Sequence, residues 1–290
     1  MLPAMTDPYA RLIDGETRLM GVLGEHIAYT LSPRLHNFAA NLLGINVAYL
    51  ALPLPAAGVA PFLAAAWSLG AVGFNVTTPH KALVASLVPE AGLTSANTLY
   101  RGAKGWQAAS TDGPGWERGL ARLGRELGSF AEVVVLGSGG AAVAVLAHLG
   151  RVRAASLPAV HVLRRTPARD ADVRAALPPA TPLTFGEMTA EGLAAALRGK
   201  DERTLLVQAT SAPQKGDDLR ELVPALTDFS GVVSDLVYAK PSALYFAAVA
   251  KDLTAQDGEA MLIEQARLSQ ELWWGRSAPY ADMALALRGK

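Results

Sequence analysis

Lys81 is the first charged residue after 46 positions, Leu35 to His80, that hold no Asp, Glu, Lys or Arg. It follows Asn75-Val-Thr77-Thr-Pro79, a short apolar run that ends in small polar residues and reads as a strand end. Clefts form at the carboxyl end of a parallel sheet, so a lysine there can meet a substrate. The plainer reading is a strand followed by a proline-started helix, and Ser32-Pro33 can be explained the same way. Asp112, in Ser110-Thr-Asp-Gly-Pro-Gly115, lies where a domain boundary is expected. A lysine and an aspartate facing one another can share a substrate hydroxyl. An ordinary lysine ionises at about pH 10.4, so acid–base work near neutrality needs a lowered value or an ammonium acting as proton donor. An aspartate partner would orient the lysine and favour its ammonium form.

A second chemistry is written at Gly137-Ser138-Gly139-Gly140-Ala141-Ala142, which follows Val133-Val-Val-Leu136 and precedes an apolar helix. This is the strand, glycine turn and helix of a dinucleotide fold. Gly137 can make the tight turn, Gly139 lets the backbone approach a pyrophosphate, and small Ala142 lets helix pack on strand. The helix N-terminus adds free N–H donors and a positive dipole end. An empty α/β domain with a glycine-rich turn is the plainer alternative. A cofactor without a 2′-phosphate would call for an acid at the end of the next strand. Arg164, Arg165, Thr166 and Arg169 stand there instead, a set that can pair with a dianionic phosphate and so favours NADP over NAD. The alternative is a solvated turn with Asp170 as a helix-end residue.

These groups need two α/β domains to hold them. Short apolar runs alternate with helix-like stretches: strands at 19–23, 47–52 and 72–76 with helices at 33–43 and 56–69, then strands at 133–136, 159–163, 204–208 and 232–236 with a helix from about 140 to 149. Such alternation specifies mostly parallel sheets, and its restart implies a second one. Residues 116–127 read as a linking helix. Residues 258–274 read as another, with Met261, Gln265, Leu268 and Leu272 on one face. A glutamine in that stripe either caps local backbone or points into a polar cleft.

The length of 290 residues suits two domains, and 51% hydrophobic against 18% charged residues excludes a disordered chain. With 26 basic and 26 acidic residues there is no surplus charge for nucleic acid or an anionic membrane surface. The absence of cysteine removes disulfides, thiolate nucleophiles and cysteine-held metals, and five histidines without HExxH or HxH spacing give no metal site. Asp7, Arg11, Asp14, Glu16 and Arg18 interrupt any export signal at the N-terminus, and glycines and prolines break the charge-free run into segments too short to span a bilayer. A cytoplasmic protein is expected.

Taken in order, Thr30-Leu-Ser-Pro-Arg-Leu-His-Asn37, Gly73-Phe-Asn-Val-Thr-Thr-Pro-His-Lys81, Ala96-Asn-Thr98, Thr111-Asp-Gly113, Gly137-Ser-Gly-Gly140, Arg165-Thr166, Ala209-Thr-Ser211, Asp235-Leu-Val-Tyr238 and Asp257-Gly258 with Met261-Leu262 and Gln265 resemble the shikimate dehydrogenase family over nearly the whole chain. The resemblance implies a substrate-binding domain made of residues 1–112 plus 256–290, an NADP-binding Rossmann-like domain over 113–255, and a cleft between them. It also implies reversible reduction of 3-dehydroshikimate to shikimate with NADP, by a monomer or homodimer with small-molecule partners only. Lys81 and Asp112 match the family's catalytic pair. Thr30 and Ser32 match the hydroxyls that hold the substrate carboxylate, and Asn75, Thr77, Asn97, Tyr238 and Gln265 match other substrate positions, which gives Gln265 its cleft role. Gly137, Ser138, Gly139, Gly140, Ala141, Arg164, Arg165, Thr166, Arg169 and Thr210 match cofactor positions.

Five residues depart from the family pattern: Tyr29 for histidine, Thr30 for serine, and Ser110, Arg164 and Gln208 for asparagine. Thr30 keeps the hydroxyl and adds a methyl, so the pocket is tighter or tuned to a related ligand. A quinate/shikimate dehydrogenase acting on another cyclic hydroxy-carboxylate is therefore the nearest alternative. A non-catalytic NADP-binding sensor and a folate-type dehydrogenase are more distant ones. Arg164 should strengthen the preference for NADP.

Overall fold

A computed structural model describes residues 13–153 and 155–288; Asp7 and Arg11 lie outside them. The chain forms two units, one of residues 1–111 and 266–290 and one of residues 112–265. Ala255–Gln256 is a strand of the second sheet, and the helix after it begins within the second unit. Asp112 and Gln265 thus belong to the second unit rather than the first.

The chain runs β1 (Arg18–Gly24), α1 (Ser32–Leu42), β2 (Val47–Pro53), α2 (Ala56–Ser68), β3 (Gly73–Val76), α3 (Lys81–Leu87), β4 (Thr98–Arg101) and β5 (Trp106–Ala109). It then continues with α4 (Asp112–Arg122), β6 (Glu132–Leu136), α5 (Gly140–Val152), β7 (Ala159–Arg164), α6 (Asp170–Ala175), β8 (Leu183–Glu187), α7 (Ala190–Leu197) and β9 (Thr204–Gln208). The last elements are β10 (Val232–Asp235), α8 (Ala243–Ala250), β11 (Ala255–Gln256), α9 (Gly258–Trp274) and α10 (Tyr280–Arg288).

The first unit holds a sheet in the order β2-β1-β3-β4-β5 in which only β4 runs against the others. Period-two alternation divides β1 between two cores. Leu23 joins Phe74, Val76, Leu63 and Val84 on one face. Met20 and Val22 join Val47, Tyr49 and Ala40 on the other, with Trp273 and Trp274 from the end of α9 packed against them. The β4–β5 hairpin was not foreseen, because Arg101 and Gln107 interrupt the apolar signal. Its stability comes from sites distant in sequence, with Trp106 Nε1 donating to Leu63 O at 3.0 Å and Arg101 lying 3.8 Å from the Trp67 ring centre.

The second unit holds a six-stranded, all-parallel sheet in the order β11-β10-β9-β6-β7-β8. Val133 and Val135 of β6 face one core with Trp116, Val145 and Leu149, and Val134 and Leu136 face the other with Leu193, Leu222 and Leu244. Both faces are covered, which is why these strands read as continuous apolar runs. Strand order reverses between β6 and β9. In an open parallel sheet the ligand crevice lies outside the carboxyl ends of the strands at that switch point. No helix among the described residues is long and apolar enough to cross a membrane.

Candidate active site

Lys81 is delivered by a short chain of constraints within the first unit. Thr77 N–H donates to Leu23 O at 2.8 Å, and Gly24 leaves room for Thr77, since a Cβ there would sit 2.6 Å from Thr77 Cγ2. The Thr78-Pro79 peptide is cis. Buried His80 bonds the Leu54 carbonyl at 2.7 Å through Nε2, and Lys81, half-buried, opens α3 with its own carbonyl accepting from Ala96 N–H at 3.0 Å. The lysine thus emerges beyond the carboxyl end of β3, as its position in the sequence predicts.

Around β3 the polar residues form one hydrogen-bonded network. Tyr49 OH donates to Asn75 Oδ1 at 2.7 Å, and Asn75 Nδ2 reaches Ser269 Oγ at 3.0 Å and Thr98 Oγ1 and Asn97 O at 3.2 Å. Asn97 accepts from Thr111 N–H at 2.7 Å and donates to Thr111 Oγ1 at 2.9 Å. Asn75 and Asn97 are 6% and 3% exposed, so most of their capacity serves the interior. Leaving one such group unpaired costs about 1–3 kcal/mol. Thr30 Oγ1, in contrast, is half-buried and among the described residues bonds within its own turn, donating to Ser32 Oγ at 3.2 Å and accepting from Ser32 N–H at 3.3 Å. Burial holds the Tyr49 hydroxyl in its neutral form far above the ordinary tyrosine value, opposed by a bond with Ser32.

His36 supports this layer from below, stacked on Tyr49 with ring centres 4.4 Å apart. Burial pushes its pKa down to about 3, opposed by a bond with Asn75. An unfolded chain takes up that proton near pH 6.5, so the stabilisation from a neutral His36 is full above pH 6.5 and is lost as pH falls toward 3. Wild-type protein is expected to lose about 2 kcal/mol more between pH 7.5 and pH 5 than His36→Asn in urea unfolding. Equal losses would remove this assignment.

In the second unit α4 begins at Asp112 and is packed closely at its first turn. A Cβ on Gly113 would lie 2.3 Å from His148 Cβ on α5, and one on Gly115 would lie 2.6 Å from the Gln265 backbone nitrogen on α9. Glu117 and His148 meet at 2.6 Å, and Trp116 Nε1 donates to Ser234 Oγ at 3.1 Å. The helix carrying Asp112 is therefore fixed to the helix that follows the glycine turn and to the helix carrying Gln265. Gln265 Nε2 donates to Leu262 O at 2.9 Å, so one of its bonds is the local cap foreseen as an alternative.

The glycine turn passes the test for a dinucleotide. Gly137 has φ +99, a conformation that favours glycine, and a Cβ on it would lie 2.8 Å from Thr210 Cγ2. Gly137 and Thr210 follow β6 and β9, the two strands at the switch point. Gly139 is the N-cap of α5 without a side-chain cap, and among the described residues nothing beyond the turn and its own helix lies within 4 Å of where a Cβ on Gly139 or Gly140 would be. Open space above amides that no side chain caps is what a pyrophosphate requires. Ala142 is fully buried and half-buried Ser138 and exposed Ala141 flank the turn.

Beyond β7 the arginines are already engaged. Arg164 grips Asp170 with Nε and Nη2, both at 2.6 Å, donates Nη1 to Gly186 O at 3.0 Å and lies 4.7 Å from the Phe185 ring centre. Arg164 therefore braces the loop, and Asp170 offsets the charge that was expected to strengthen NADP preference. The Arg164 bond also holds the Asp170 carboxyl below the usual range. Arg169 pairs with Asp172 at 2.8 Å and Arg165 with Asp217, while Thr166 is exposed. Half-buried Tyr238 sits in the loop after β10.

Asp235, Gln208, Tyr49, Ser269 and Asp217 were not assigned roles from the sequence. Asp235 accepts from Ser242 N–H at 2.7 Å, Val237 N–H at 2.8 Å and Gln208 Nε2 at 3.1 Å, while Gln208 Oε1 takes Thr210 N–H at 2.5 Å. Desolvation raises the Asp235 pKa, and the Ser242 bonds chiefly oppose it. This hub joins the loops carrying Thr210 and Tyr238. An acid closing the Val232-Val-Ser-Asp235 strand was the available signal, as was Ser269 one helical turn beyond Gln265.

Comparison with known proteins bears on the whole chain. The model of the shikimate dehydrogenase substrate binding domain matches residues 22–98. A relative from Anaeromyxobacter dehalogenans (strain 2CP-C), named shikimate dehydrogenase (NADP(+)), is 37% identical over 96% of this chain and 99% of its own. The chain belongs to the shikimate dehydrogenase family. A second shikimate dehydrogenase (NADP(+)), from Thermosynechococcus vestitus (strain NIES-2133 / IAM M-273 / BP-1), is 35% identical over 95% of this chain and 96% of its own. Among solved structures, shikimate 5-dehydrogenase from Thermus thermophilus, crystallised with NADP(H) and shikimate, aligns with TM-score 0.77 and 28% identity over 94% of this chain and 99% of that one. The α/β architecture and the Rossmann-like second sheet expected of a shikimate dehydrogenase are thus both present.

Proposed function

We infer that this chain catalyses the NADP-dependent, reversible reduction of 3-dehydroshikimate to shikimate. The observation that carries the reading is the likeness, over nearly the full length, to relatives named NADP(+) shikimate dehydrogenases at 35–37% identity. The glycine turn at the switch point of the second sheet supports it, with its glycine-only conformation and its uncapped helix N-terminus.

In this reading Gly137, Ser138, Gly139, Gly140 and Ala141 hold the pyrophosphate, Thr210 flanks it, and Arg165, Thr166 and Arg169 meet the 2′-phosphate. Bound there, the nicotinamide supplies the hydride chemistry. Thr30 and Ser32 present hydroxyls to the substrate carboxylate, and Asn75, Thr77, Asn97, Tyr238 and Gln265 serve its ring substituents. Lys81 Nζ gives a proton to the substrate oxygen during reduction and takes it back during oxidation, and Asp112 orients the lysine and that hydroxyl. Asn75, held from four sides, acts chiefly by keeping the strand that leads to Thr77 and Lys81 in register. The reading is of a cytoplasmic enzyme, monomeric or homodimeric, with small-molecule partners.

Purified protein should form NADPH from shikimate and NADP+, with much lower rates for quinate or NAD+. Equal or faster turnover of quinate would move the assignment to a quinate/shikimate dehydrogenase, the reading favoured by the extra methyl of Thr30. NADPH binding without turnover of either acid would overturn the enzymatic reading.

A further inference from the structure

The loop expected to read the 2′-phosphate carries no free positive charge among its three arginines: Arg164, Arg165 and Arg169 are paired with Asp170, Asp217 and Asp172. Two of these acids lie within six residues of their arginine and belong to the same turn and helix start. Asp217 is different, being 52 residues away, beyond the carboxyl end of β9. It is held independently of the arginine. Leu219, with φ +61, turns its N–H onto Asp217 Oδ1 at 3.2 Å, and Asp217 N–H donates to Ala212 O at 3.1 Å. The second oxygen, Oδ2, is the one that takes Arg165 Nη2. The two side chains are 57% and 42% exposed, so a ligand can reach the pair.

We propose that Asp217 is a specificity residue: its carboxylate, fixed by the Leu219 turn, occupies Arg165 in the place of the 2′-phosphate, and NADP binds by displacing it. The proposal rests on the reading of Arg165 as a 2′-phosphate ligand given under Proposed function. A phosphate carrying about −1.5 to −2 charge at neutral pH and three acceptor oxygens outcompetes a single carboxylate for a guanidinium. The displacement still costs NADP the broken pair and leaves a like charge nearby. NAD, with no group to put on Arg165, leaves the pair intact. Asp217 therefore narrows the gap between the two cofactors.

The test is the affinity of the free enzyme for NADPH and NADH, read from nicotinamide fluorescence without substrate. Asp217→Asn keeps an oxygen for the Leu219 N–H and removes the charge, and Asp217→Ser does the same with a hydroxyl. Both are expected to tighten NADPH about two- to fivefold relative to NADH, the range for an exposed ion pair, and to lose that gain as salt is raised. Unchanged or weakened NADPH binding in both variants overturns the proposal. Arg165→Ala separates it from its premise. If that variant weakens NADPH but not NADH while the Asp217 variants do nothing, the premise stands and the role of Asp217 falls. If Arg165→Ala leaves NADPH affinity unchanged, both fall.

Discussion

Lys81→Ala is expected to lower kcat for shikimate oxidation about 10²- to 10⁴-fold, the range for losing a positioned acid–base group. Lys81 opens α3 directly after His80 is fixed to Leu54 O, so the side chain leaves a backbone that substitution does not disturb. NADPH affinity, which the proposed function assigns to the second unit's glycine turn, should persist in the variant and show that the enzyme is folded. Lys81→Arg keeps the charge but cannot release a proton near neutrality, so it should stay within about tenfold of the alanine variant. A loss below about tenfold in Lys81→Ala would remove proton transfer from this lysine.

The largest effect on stability is expected at Gly73, the first residue of β3. A methyl there would lie 2.2 Å from Trp273 Nε1, 2.5 Å from Trp273 Cδ1 and 2.6 Å from Leu99 O. Trp273 Nε1 itself donates to Leu99 O at 2.8 Å, so the indole cannot withdraw without surrendering that bond. Gly73 is also paired with Met20 on one side and Tyr100 on the other, so the strand cannot shift away. Overpacking and the lost hydrogen bond together predict that Gly73→Ala costs about 3 kcal/mol in urea unfolding. Gly105→Ala, at a turn with nothing within 4 Å, should stay within about 0.5 kcal/mol and serves as the control. Similar losses in the two variants would show that the indole yields.

What could be read from the sequence was what local pattern determines. β1, β3, β6 and β9 are buried on both faces or nearly so, and their apolar runs were visible; β2, an edge strand with Leu50 and Ala51 exposed, was visible by its apolar composition alone. α9 was readable to both ends, since its apolar stripe is long enough to show a helical period. The glycine turn carries its geometry in its residue types. The β4–β5 hairpin was hidden because exposed Arg101 and Gln107 interrupt its apolar runs and because it depends on Trp67, Leu63 and Trp273 from elsewhere. The site was legible as a set of residue types but not as a set of partners. Asn75 reads from the sequence as a strand-end residue matching a substrate position, and its bonds to Tyr49 and Ser269 span 26 and 194 residues. The arginine run looked like uncompensated charge because Asp217 is remote. Asp170, close in sequence, was seen as a helix-end residue, which it is, but not as the acid that Arg164 grips with two bonds.

The break of the first unit at residue 111 and its resumption at residue 266 set an order on synthesis. Residues 112–265 leave the ribosome as one uninterrupted stretch and can complete their parallel sheet at once. The first unit has its five strands by residue 109 but must wait for Ser269 to reach Asn75 and for Trp273 to reach Leu99, closures across 194 and 174 residues. Closing so long a loop is entropically costly while the intervening chain is unfolded and less so once it has compacted. The nascent chain thus holds a half-covered sheet, with Met20, Val22 and Tyr49 covered by α1 but not yet by Trp273 and Trp274, until α9 has emerged. That interval is where a chaperone would engage it and where a stalled chain would aggregate.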